Sequence, residues 1–255
     1  MIPDALINAV RDARHIVIFT GAGVSAESGI PTFRDALTGL WERFDAASLA
    51  TPEAFRADPA LVWGWYEWRR MKVLQAEPNS AHRAIVELAR HVPHLTLVTQ
   101  NVDDLHERAG STDVLHLHGS LHQPRCFTCG KPPEEPLGTT DEPEGGRRLQ
   151  PPQCERCGGH LRPGVVWFGE SLPAHQLDAA FAAAKDCDVL ISIGTSGLVY
   201  PAAEVPGLAW QAGAVVAHVN PLANISRGER EYALAGAAGE TLPMLIERAF
   251  GRTGS

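Results

Sequence analysis

Five short runs of mainly apolar, β-branched residues predict the strands of a single sheet. They cover residues 15–20, 95–99, 114–118, 189–193 and 215–219. Helical periodicity predicts helices at 4–14, 81–90, 102–109, 175–185 and 201–212. Short continuous apolar strands that alternate with helices are typical of a parallel sheet covered on both faces. The pattern therefore predicts an α/β domain.

Two stretches interrupt this alternation. Residues 35–80 contain much aromatic helix and no convincing strand, and residues 121–162 contain four cysteines among many prolines and glycines. We expect both to be insertions that together form a second, smaller domain, leaving 1–34, 81–120 and 163–255 as the larger one. A cleft between two domains is a common ligand site, and we expect the ligand there.

Composition restricts the class of protein. The chain has 255 residues, with 22 basic against 30 acidic side chains and a net charge of −8. This balance argues against a protein that tracks nucleic-acid phosphates. No run of 18 apolar residues predicts a membrane span, and Met1–Val10 lacks the features of a secretory signal. We expect a cytoplasmic protein, with a monomer as the default.

Four of the five cysteines form two CxxC pairs separated by 24 residues. The pairs are Cys126 with Cys129 and Cys154 with Cys157, and each is followed by glycine. Two such turns can present four thiolates to one tetrahedral zinc ion, with no position left for water, which indicates a structural site. The alternative is a pair of redox motifs. The fifth, Cys187, is expected to be an ordinary buried cysteine.

A glycine-rich loop follows the first predicted strand. Gly21 and Gly23, followed by Ala26, match the dinucleotide-binding pattern, in which glycines let backbone amides approach a pyrophosphate at the start of a helix. A simple strand-to-helix turn would have the same composition. No strand precedes Asp45, which has the spacing of the usual acidic ribose-binding residue. The pattern therefore disfavours an ordinary hydride-transfer dehydrogenase.

Polar residues follow four of the predicted strands. They are the segments 99–103 and 116–119, the run Gly194-Thr195-Ser196, and Asn220. Ligands of open α/β sheets bind outside the carboxyl ends of the strands, so together these residues indicate a binding site. Taken singly, each has a simpler interpretation: Asn101 or Asp103 could cap the following helix, and either histidine could be a satisfied core residue.

Several motifs together resemble the sirtuins, which are NAD-dependent protein lysine deacylases. They are GAGVSAESGIPTFR at 21–34, TQNVD at 99–103, LHG at 117–119, the paired CxxC and GTS at 194–196. The resemblance covers roughly residues 13–245. It implies a Rossmann-like parallel sheet domain and a smaller domain that consists of a helical insertion and a zinc-binding module. It also implies that NAD binds in the cleft and is consumed as a co-substrate.

The resemblance assigns roles to individual positions. The implied NAD-binding residues are Gly21, Ala22, Gly23, Glu27, Phe33, Arg34, Gln100, Asn101, Asp103, Gly194, Thr195, Ser196, Asn220 and Ala238. His118, Asn101 and Asp103 are the implied catalytic residues. The acyl oxygen of an acyl-lysine would attack C1′ of the nicotinamide ribose, giving nicotinamide, O-acyl-ADP-ribose and free lysine. As general base, His118 would remove a ribose hydroxyl proton, which suits an imidazole near neutral pH.

Tyr66 and Arg69 are one helical turn apart and resemble the pair that reads acidic acyl groups in the desuccinylase and demalonylase sirtuins. A guanidinium and a phenol suit a carboxylate. Ala50 matches the small residue that widens that pocket. The alternative is an aromatic core stripe with a solvated arginine. We expect succinyl and malonyl groups to be preferred, with deacetylation as well.

Residues 165–170, VVWFGE, resemble the strand that binds the substrate backbone. Val166, Phe168 and Gly169 would there hold an acyl-lysine protein or peptide by main-chain hydrogen bonds. The chain departs from the family at Gly164, where histidine is common, at Pro221 and Leu222, and at Ala238, where many members have cysteine. Two alternative interpretations of the same scaffold are a mono-ADP-ribosyltransferase and a non-catalytic NAD-sensing module.

Overall fold

The computed structural model describes residues 2–31, 40, 42, 45–221 and 228–251. In chain order the strands are β1 (His15–Thr20), β2 (His94–Thr99), β3 (Leu115–His116), β4 (Gly119–Cys126), β5 (Leu161–Val165), β6 (Val189–Ile193), β7 (Val215–Val219) and β8 (Glu231–Leu234). The helices are α1 (Asp4–Asp12), α2 (Ala46–Leu49), α3 (Pro52–Ala57), α4 (Pro59–Gln75), α5 (Ser80–His91), α6 (Leu105–Ala109), α7 (Ala174–Asp186), α8 (Val205–Ala212) and α9 (Ala238–Phe250).

Six strands form one parallel sheet in the order β3-β2-β1-β6-β7-β8, which confirms the predicted α/β fold. The central strand β1 is buried on both faces. Ile16 and Ile18 pack against the layer that contains α1, α5 and α9, whereas Val17 and Phe19 pack against α7 and α8. This alternation follows from the two-residue period of a strand, and it explains the continuous apolar sequence.

The strands β4 and β5 were not predicted, and three details of the main sheet and its helices also differ from the predicted elements. The strand expected at 114–118 ends at His116, because the chain turns at Gly119, whose φ of +75° starts β4. The strand β8 and the helix α9 were not predicted. β8 lies at the sheet edge, where only one neighbour needs to be paired, and its short sequence EYAL has no apolar run.

The two stretches expected to be insertions contribute most residues of a hydrophobic cluster that is separate from the two sheet layers. We call this cluster, which draws its residues from 46–73 and 121–167, the aromatic core. Its largest fully buried side chains are Phe55, Trp65 and Trp167. The helix α4 packs against β4 and β5, an antiparallel pair outside the main sheet. Among the described helices, none has both the length and the apolar character required to span a bilayer.

Candidate active site and metal centre

The loops after β1 and β6 pack directly against each other at the carboxyl edge of the sheet, which is the edge where its parallel strands end. The Gly21 amide donates to the Ile193 carbonyl and the Gly23 amide to the Gly194 carbonyl, both over 3.0 Å. A Cβ atom on Gly23 would lie 2.7 Å from the Gly194 Cα, and Gly194 itself has φ of +61°. Close backbone approach therefore accounts for these glycines before any ligand is considered.

The dinucleotide-binding pattern predicts that the glycine loop opens an α-helix. The structure differs, because no α-helix starts there. The loop forms two short 3₁₀ turns at Ala22–Val24 and Ala26–Ser28. Glu27, at the second turn, accepts a hydrogen bond of 2.7 Å from the Gly239 amide in the first turn of α9. Its carboxylate therefore satisfies one of the amides that a helix start leaves without a partner. Ala238 is buried beside this contact.

Four of the implied NAD-binding residues, Gly194, Thr195, Ser196 and Asn220, lie together at the ends of β6 and β7. The Asn220 side-chain amide donates to the Thr195 carbonyl over 3.1 Å. The hydroxyls of Thr195 and Ser192 are 2.8 Å apart, and Ser196 is exposed. The predicted residues Phe33 and Arg34 lie outside the described part of the chain.

The segment after β2 carries a buried polar network. The Ser25 hydroxyl donates to Asp103 Oδ2 and accepts from the Asn101 side-chain amide, each over 3.1 Å. Asp103 Oδ1 accepts from the Leu105 amide, so this carboxylate also caps the first turn of α6. Burial raises the pKa of Asp103, and the hydrogen bonds from Leu105 and Ser25 oppose that rise. The Ser25 hydroxyl thus joins the side chains of Asn101 and Asp103, both of which are predicted site residues.

Two buried histidines support this network, and the sequence reasoning missed both. His82 Nδ1 accepts from the Asn79 amide, so the remaining ring proton lies on Nε2, which is 3.5 Å from the Ser25 hydroxyl. Burial lowers the pKa of His82 to about 4 and that of His106 to about 3. The spacing Asn79-x-x-His82 at a helix start is the signal that could have identified the first of them.

His106 acts on the same segment through two threonines. Its Nε2 lies 3.0 Å from the Thr20 hydroxyl, which donates to the Thr99 hydroxyl over 2.8 Å. The main-chain amide of Asn101 in turn donates to the Thr99 hydroxyl over 3.0 Å. The ends of β1 and β2 and the start of the Asn101 loop are therefore joined by one chain of buried hydrogen bonds.

His116 and His118 are in different chemical situations. His118 Nδ1 lies 2.9 Å from the Gln100 carbonyl, so Nδ1 carries the proton and Nε2 keeps a lone pair. Burial lowers the pKa of His118, although the Gln100 carbonyl opposes this shift, so the ring is neutral at pH 7. For His116, burial lowers the pKa, but the contact with Glu107 at 2.6 Å outweighs it and raises the value. Of the two, His118 has the properties of a general base.

Tyr66 and Arg69 lie one turn apart on α4 and interact electrostatically with each other. The charge of Arg69 acts on both Tyr66 and Asp103. Burial lowers the pKa of Arg69 and raises that of Tyr66 to about 12. The Arg69 guanidinium also lies 5.0 Å from the centre of the Trp65 ring. Arg69 is therefore partly buried, unlike the solvated arginine of the simpler interpretation.

The segment that follows β5 connects the predicted base with the predicted acyl pocket. The Val166 amide donates to the His118 carbonyl over 2.8 Å, and the Phe168 amide donates to the Ala50 carbonyl over 2.9 Å. The expected strand over 165–170 differs from the structure, in which β5 ends at Val165. A turn follows because Gly169 has φ of +85° and the Glu170 carboxylate accepts from the Trp167 amide.

Gly164 has no room for any side chain. A Cβ atom at this position would lie 1.7 Å from the Gln123 carbonyl oxygen on the paired strand. The departure from histidine noted in the sequence is therefore imposed by the close approach of β4 and β5 in this chain.

The four paired cysteines form a compact cluster in which all sulfur atoms lie within 4.8 Å of one another. Sulfur–sulfur distances of 3.4 Å for Cys126 to Cys157 and 3.8 Å for Cys129 to Cys154 join the two pairs. A tetrahedral zinc ion with Zn–S bonds of about 2.3 Å requires sulfurs about 3.8 Å apart. The cluster therefore fits one structural zinc ion, and contacts between the pairs disfavour two separate redox motifs.

The local backbone explains why these cysteines converge. The amides of Thr128 and Cys129 point at the Cys126 sulfur over 3.3 and 3.4 Å, which stabilises a thiolate. Gly130 and Gly158 follow the two pairs with φ of +71° and +73°, so both turns need glycine. Cys187 is buried in a sheet layer, as predicted.

Comparison with known proteins agrees with this geometry. The sequence profile of the Sir2 family matches residues 21–201. A Pseudomonas aeruginosa protein named NAD-dependent protein deacylase 1 is 64% identical over 246 residues, which are 96% of this chain and 98% of that protein. A Methylococcus capsulatus protein named NAD-dependent protein deacylase is 63% identical over 244 residues, 96% of each chain.

Solved structures show the same fold. The complex of a Sir2 homologue with NAD has a TM-score of 0.85 at 45% identity and covers 98% of this chain and 94% of its own. A Sir2 protein bound to an acetylated peptide has a TM-score of 0.83 at 26% identity, and the match covers 99% of this chain and 100% of that protein. Because the family profile spans most of the chain and the relatives align over nearly all of it, this protein belongs to the Sir2 family.

Proposed function

We propose that this protein is an NAD-dependent protein lysine deacylase that removes succinyl, malonyl and acetyl groups and yields nicotinamide, O-acyl-ADP-ribose and free lysine. The observation that carries the proposal is the convergence of three features at one place. His118 and the buried Asn101–Ser25–Asp103 network both contact the segment after β2, and the charge of Arg69, beside Tyr66, acts on Asp103 of that network.

The NAD-binding residues would be those at the ends of β1, β2, β6 and β7. In this proposal they are Gly21, Ala22, Gly23, Glu27, Phe33, Arg34, Gln100, Asn101, Asp103, Gly194, Thr195, Ser196, Asn220 and Ala238. The fit rests on the exposed and partly exposed polar groups at this edge, such as Ser196, Thr195 and Gln100. When bound, NAD supplies the ribose carbon that the acyl oxygen attacks.

The protein's own part in the reaction is orientation and proton removal. Ser25 holds the side chains of Asn101 and Asp103 in one arrangement, so these side chains would meet a bound nicotinamide group without further reordering. Nε2 of His118 accepts a hydroxyl proton, because Nδ1 is already committed to the Gln100 carbonyl. The lowered pKa keeps this nitrogen available at neutral pH.

The acyl chain would lie between Ala50 and the Tyr66–Arg69 pair. Arg69 is partly buried, so its guanidinium binds a carboxylate more strongly than a fully solvated cation would. The peptide backbone would lie along Val166, Phe168 and Gly169. We further propose that 35–80 and 121–162 are a separate small domain and that the cleft beside it holds both substrates. The thiolates of the zinc cluster suit a reducing compartment, which supports a cytoplasmic location.

The test is mass spectrometry of one peptide that carries acetyl-, succinyl- or malonyl-lysine, incubated with and without NAD. We expect NAD-dependent loss of the succinyl and malonyl groups, a slower loss of acetyl and the formation of O-acyl-ADP-ribose. Loss of acetyl alone would reject the preference for acidic acyl groups. Transfer of labelled ADP-ribose onto protein would favour mono-ADP-ribosyl transfer, and binding of NAD without any acyl loss would favour a sensor.

A further inference from the structure

One hydrogen bond in the aromatic core joins two segments with different proposed tasks. The indole Nε1 of Trp167 donates to the Tyr66 hydroxyl over 3.0 Å, and both side chains are buried. A phenol has one proton to donate and lone pairs that accept. Because the indole occupies an accepting position, the Tyr66 proton must be directed away from Trp167.

The indole is itself held on two sides. The guanidinium carbon of Arg162 lies 3.4 Å from the centre of the Trp167 ring, which is a close cation–π contact. Arg162 pairs with the Glu170 carboxylate, and Glu170 also accepts from the Trp167 main-chain amide over 2.9 Å. With its ring stacked and its backbone tied, Trp167 provides a fixed donor to which the phenol adapts.

Trp167 also occupies a central place in the segment after β5. Its neighbours Val166 and Phe168 donate their amides to the carbonyls of His118 and Ala50. These two hydrogen bonds therefore hold the backbone on both sides of Trp167, one next to the proposed base and one next to the proposed acyl pocket.

We propose that Trp167 is a positioning residue for acyl selectivity, because its indole N–H orients the Tyr66 hydroxyl so that the phenolic proton points, beside Arg69, at the distal carboxylate of the acyl chain. This inference rests on the proposed function. Two donors together match a carboxylate, which only accepts hydrogen bonds. An acetyl group lacks this carboxylate, so the effect is confined to acidic acyl groups.

The test compares two matched tryptophan variants with the wild type. Trp167→Phe removes the indole N–H but keeps a ring for packing. We expect kcat/KM for a succinyl peptide to fall about tenfold, mainly because KM rises, and kcat/KM for an acetyl peptide to change little. A tenfold loss is the size expected when one hydrogen bond to a charged group is weakened. Trp68→Phe is the control, because the Trp68 indole donates to the Glu144 carbonyl over 2.9 Å from the same helix as Tyr66. It should leave the succinyl-to-acetyl ratio unchanged.

A double-mutant cycle tests whether Trp167 acts on acyl selectivity through the Tyr66 hydroxyl. In a Tyr66→Phe background, Trp167→Phe should lower the succinyl-to-acetyl ratio no further, because the hydroxyl it orients is gone. Additive losses, or equal losses on both peptides in Trp167→Phe alone, would reduce Trp167 to a packing residue and overturn the proposal.

A second readout does not depend on activity. The chain has three tyrosines, so the ring-carbon signals of ¹³C-labelled tyrosine can be assigned with Tyr66→Phe. The Tyr66 signal should shift in Trp167→Phe and stay in place in Trp68→Phe, and no shift would overturn the proposal. If the wild type removes acetyl but neither succinyl nor malonyl groups, the role of Trp167 falls with the acyl preference, while deacylation itself stands.

Discussion

The carboxyl edge of the sheet and the aromatic core hold their important side chains in different ways. At the edge, His118 and Asp103 each contact a main-chain group of residues 100–105, the Gln100 carbonyl and the Leu105 amide, and Ser25 adds a side-chain hydrogen bond to Asp103. In the aromatic core, Tyr66 is fixed by a side chain 101 residues further along the chain. The proposed base therefore depends on a main-chain group of the segment after β2, whereas the proposed acyl recognition depends on side chains packed from distant segments.

The largest expected effect concerns the edge. His118→Tyr should lower kcat by roughly 10²–10⁴-fold, because it removes the only proposed proton acceptor of the reaction. Deacylation assays on acetyl and succinyl peptides measure the loss, which should be the same for both. Bound zinc and the circular dichroism spectrum should not change. Retained turnover would remove His118 from the role of general base.

Loss of the metal should affect the aromatic core first. Cys129→Ser removes one of the four thiolates and should release zinc, which lowers the melting temperature by roughly 10 °C if several kcal/mol of binding are lost. Zinc content by atomic emission and thermal scans measure this. Cys187→Ala is the control and should keep its zinc, since that thiol lies in a sheet layer. Full zinc occupancy in Cys129→Ser would contradict a four-thiolate site.

Arg69→Met separates recognition from chemistry. Desuccinylation should fall roughly 10- to 100-fold more than deacetylation, because one hydrogen bond to a charged group is worth about 1.5–3 kcal/mol. Lys72→Met removes a cation from the same helix and should change neither rate much. If Arg69→Met lowers both activities equally, Arg69 is a structural residue.

The most gradual expected effect is on stability at acid pH. His82 and His106 have pKa values of about 4 and about 3 in the folded protein, below the 6.5 of an unperturbed histidine. The unfolded chain binds their protons first, so the free energy of unfolding should decline as the pH falls below 6.5. At pH 5 the loss is about 2 kcal/mol for each imidazole.

Urea unfolding of wild type and His106→Asn between pH 5 and 7.5 measures this difference. The variant should be less stable overall, but its stability should depend less on pH. An unchanged pH dependence would show that the imidazole of His106 is not held neutral in the folded protein.

Much of the large sheet was predictable because strands buried on both faces accept only a narrow range of sequences. The runs at 15–20, 189–193 and 215–219 match β1, β6 and β7, since a strand covered on both faces needs apolar residues throughout. The strands β4, β5 and β8 were missed because their sequences are short or polar and each is defined by its partner. Sequence spacing also placed the four cysteines correctly, because the two CxxC turns are local structures.

The candidate site was predictable as a set of positions but not as a network. The sequence motifs mark Asn101, Asp103 and His118, yet nothing local reveals that Ser25 and His82 hold Asp103, because three distant segments must meet first. For the same reason, the role of Trp167 beside Tyr66 follows only from packing.

The amino-acid sequence by itself determined the parallel sheet, the cysteine turns and the residue types at the strand ends, because each depends on local periodicity or spacing. Only the tertiary structure decided which histidine keeps a lone pair, which glycines are required by close backbone contact and which side chain orients Tyr66. Those properties depend on burial and on hydrogen-bond partners, which come from segments far apart in the chain and exist only once it has folded.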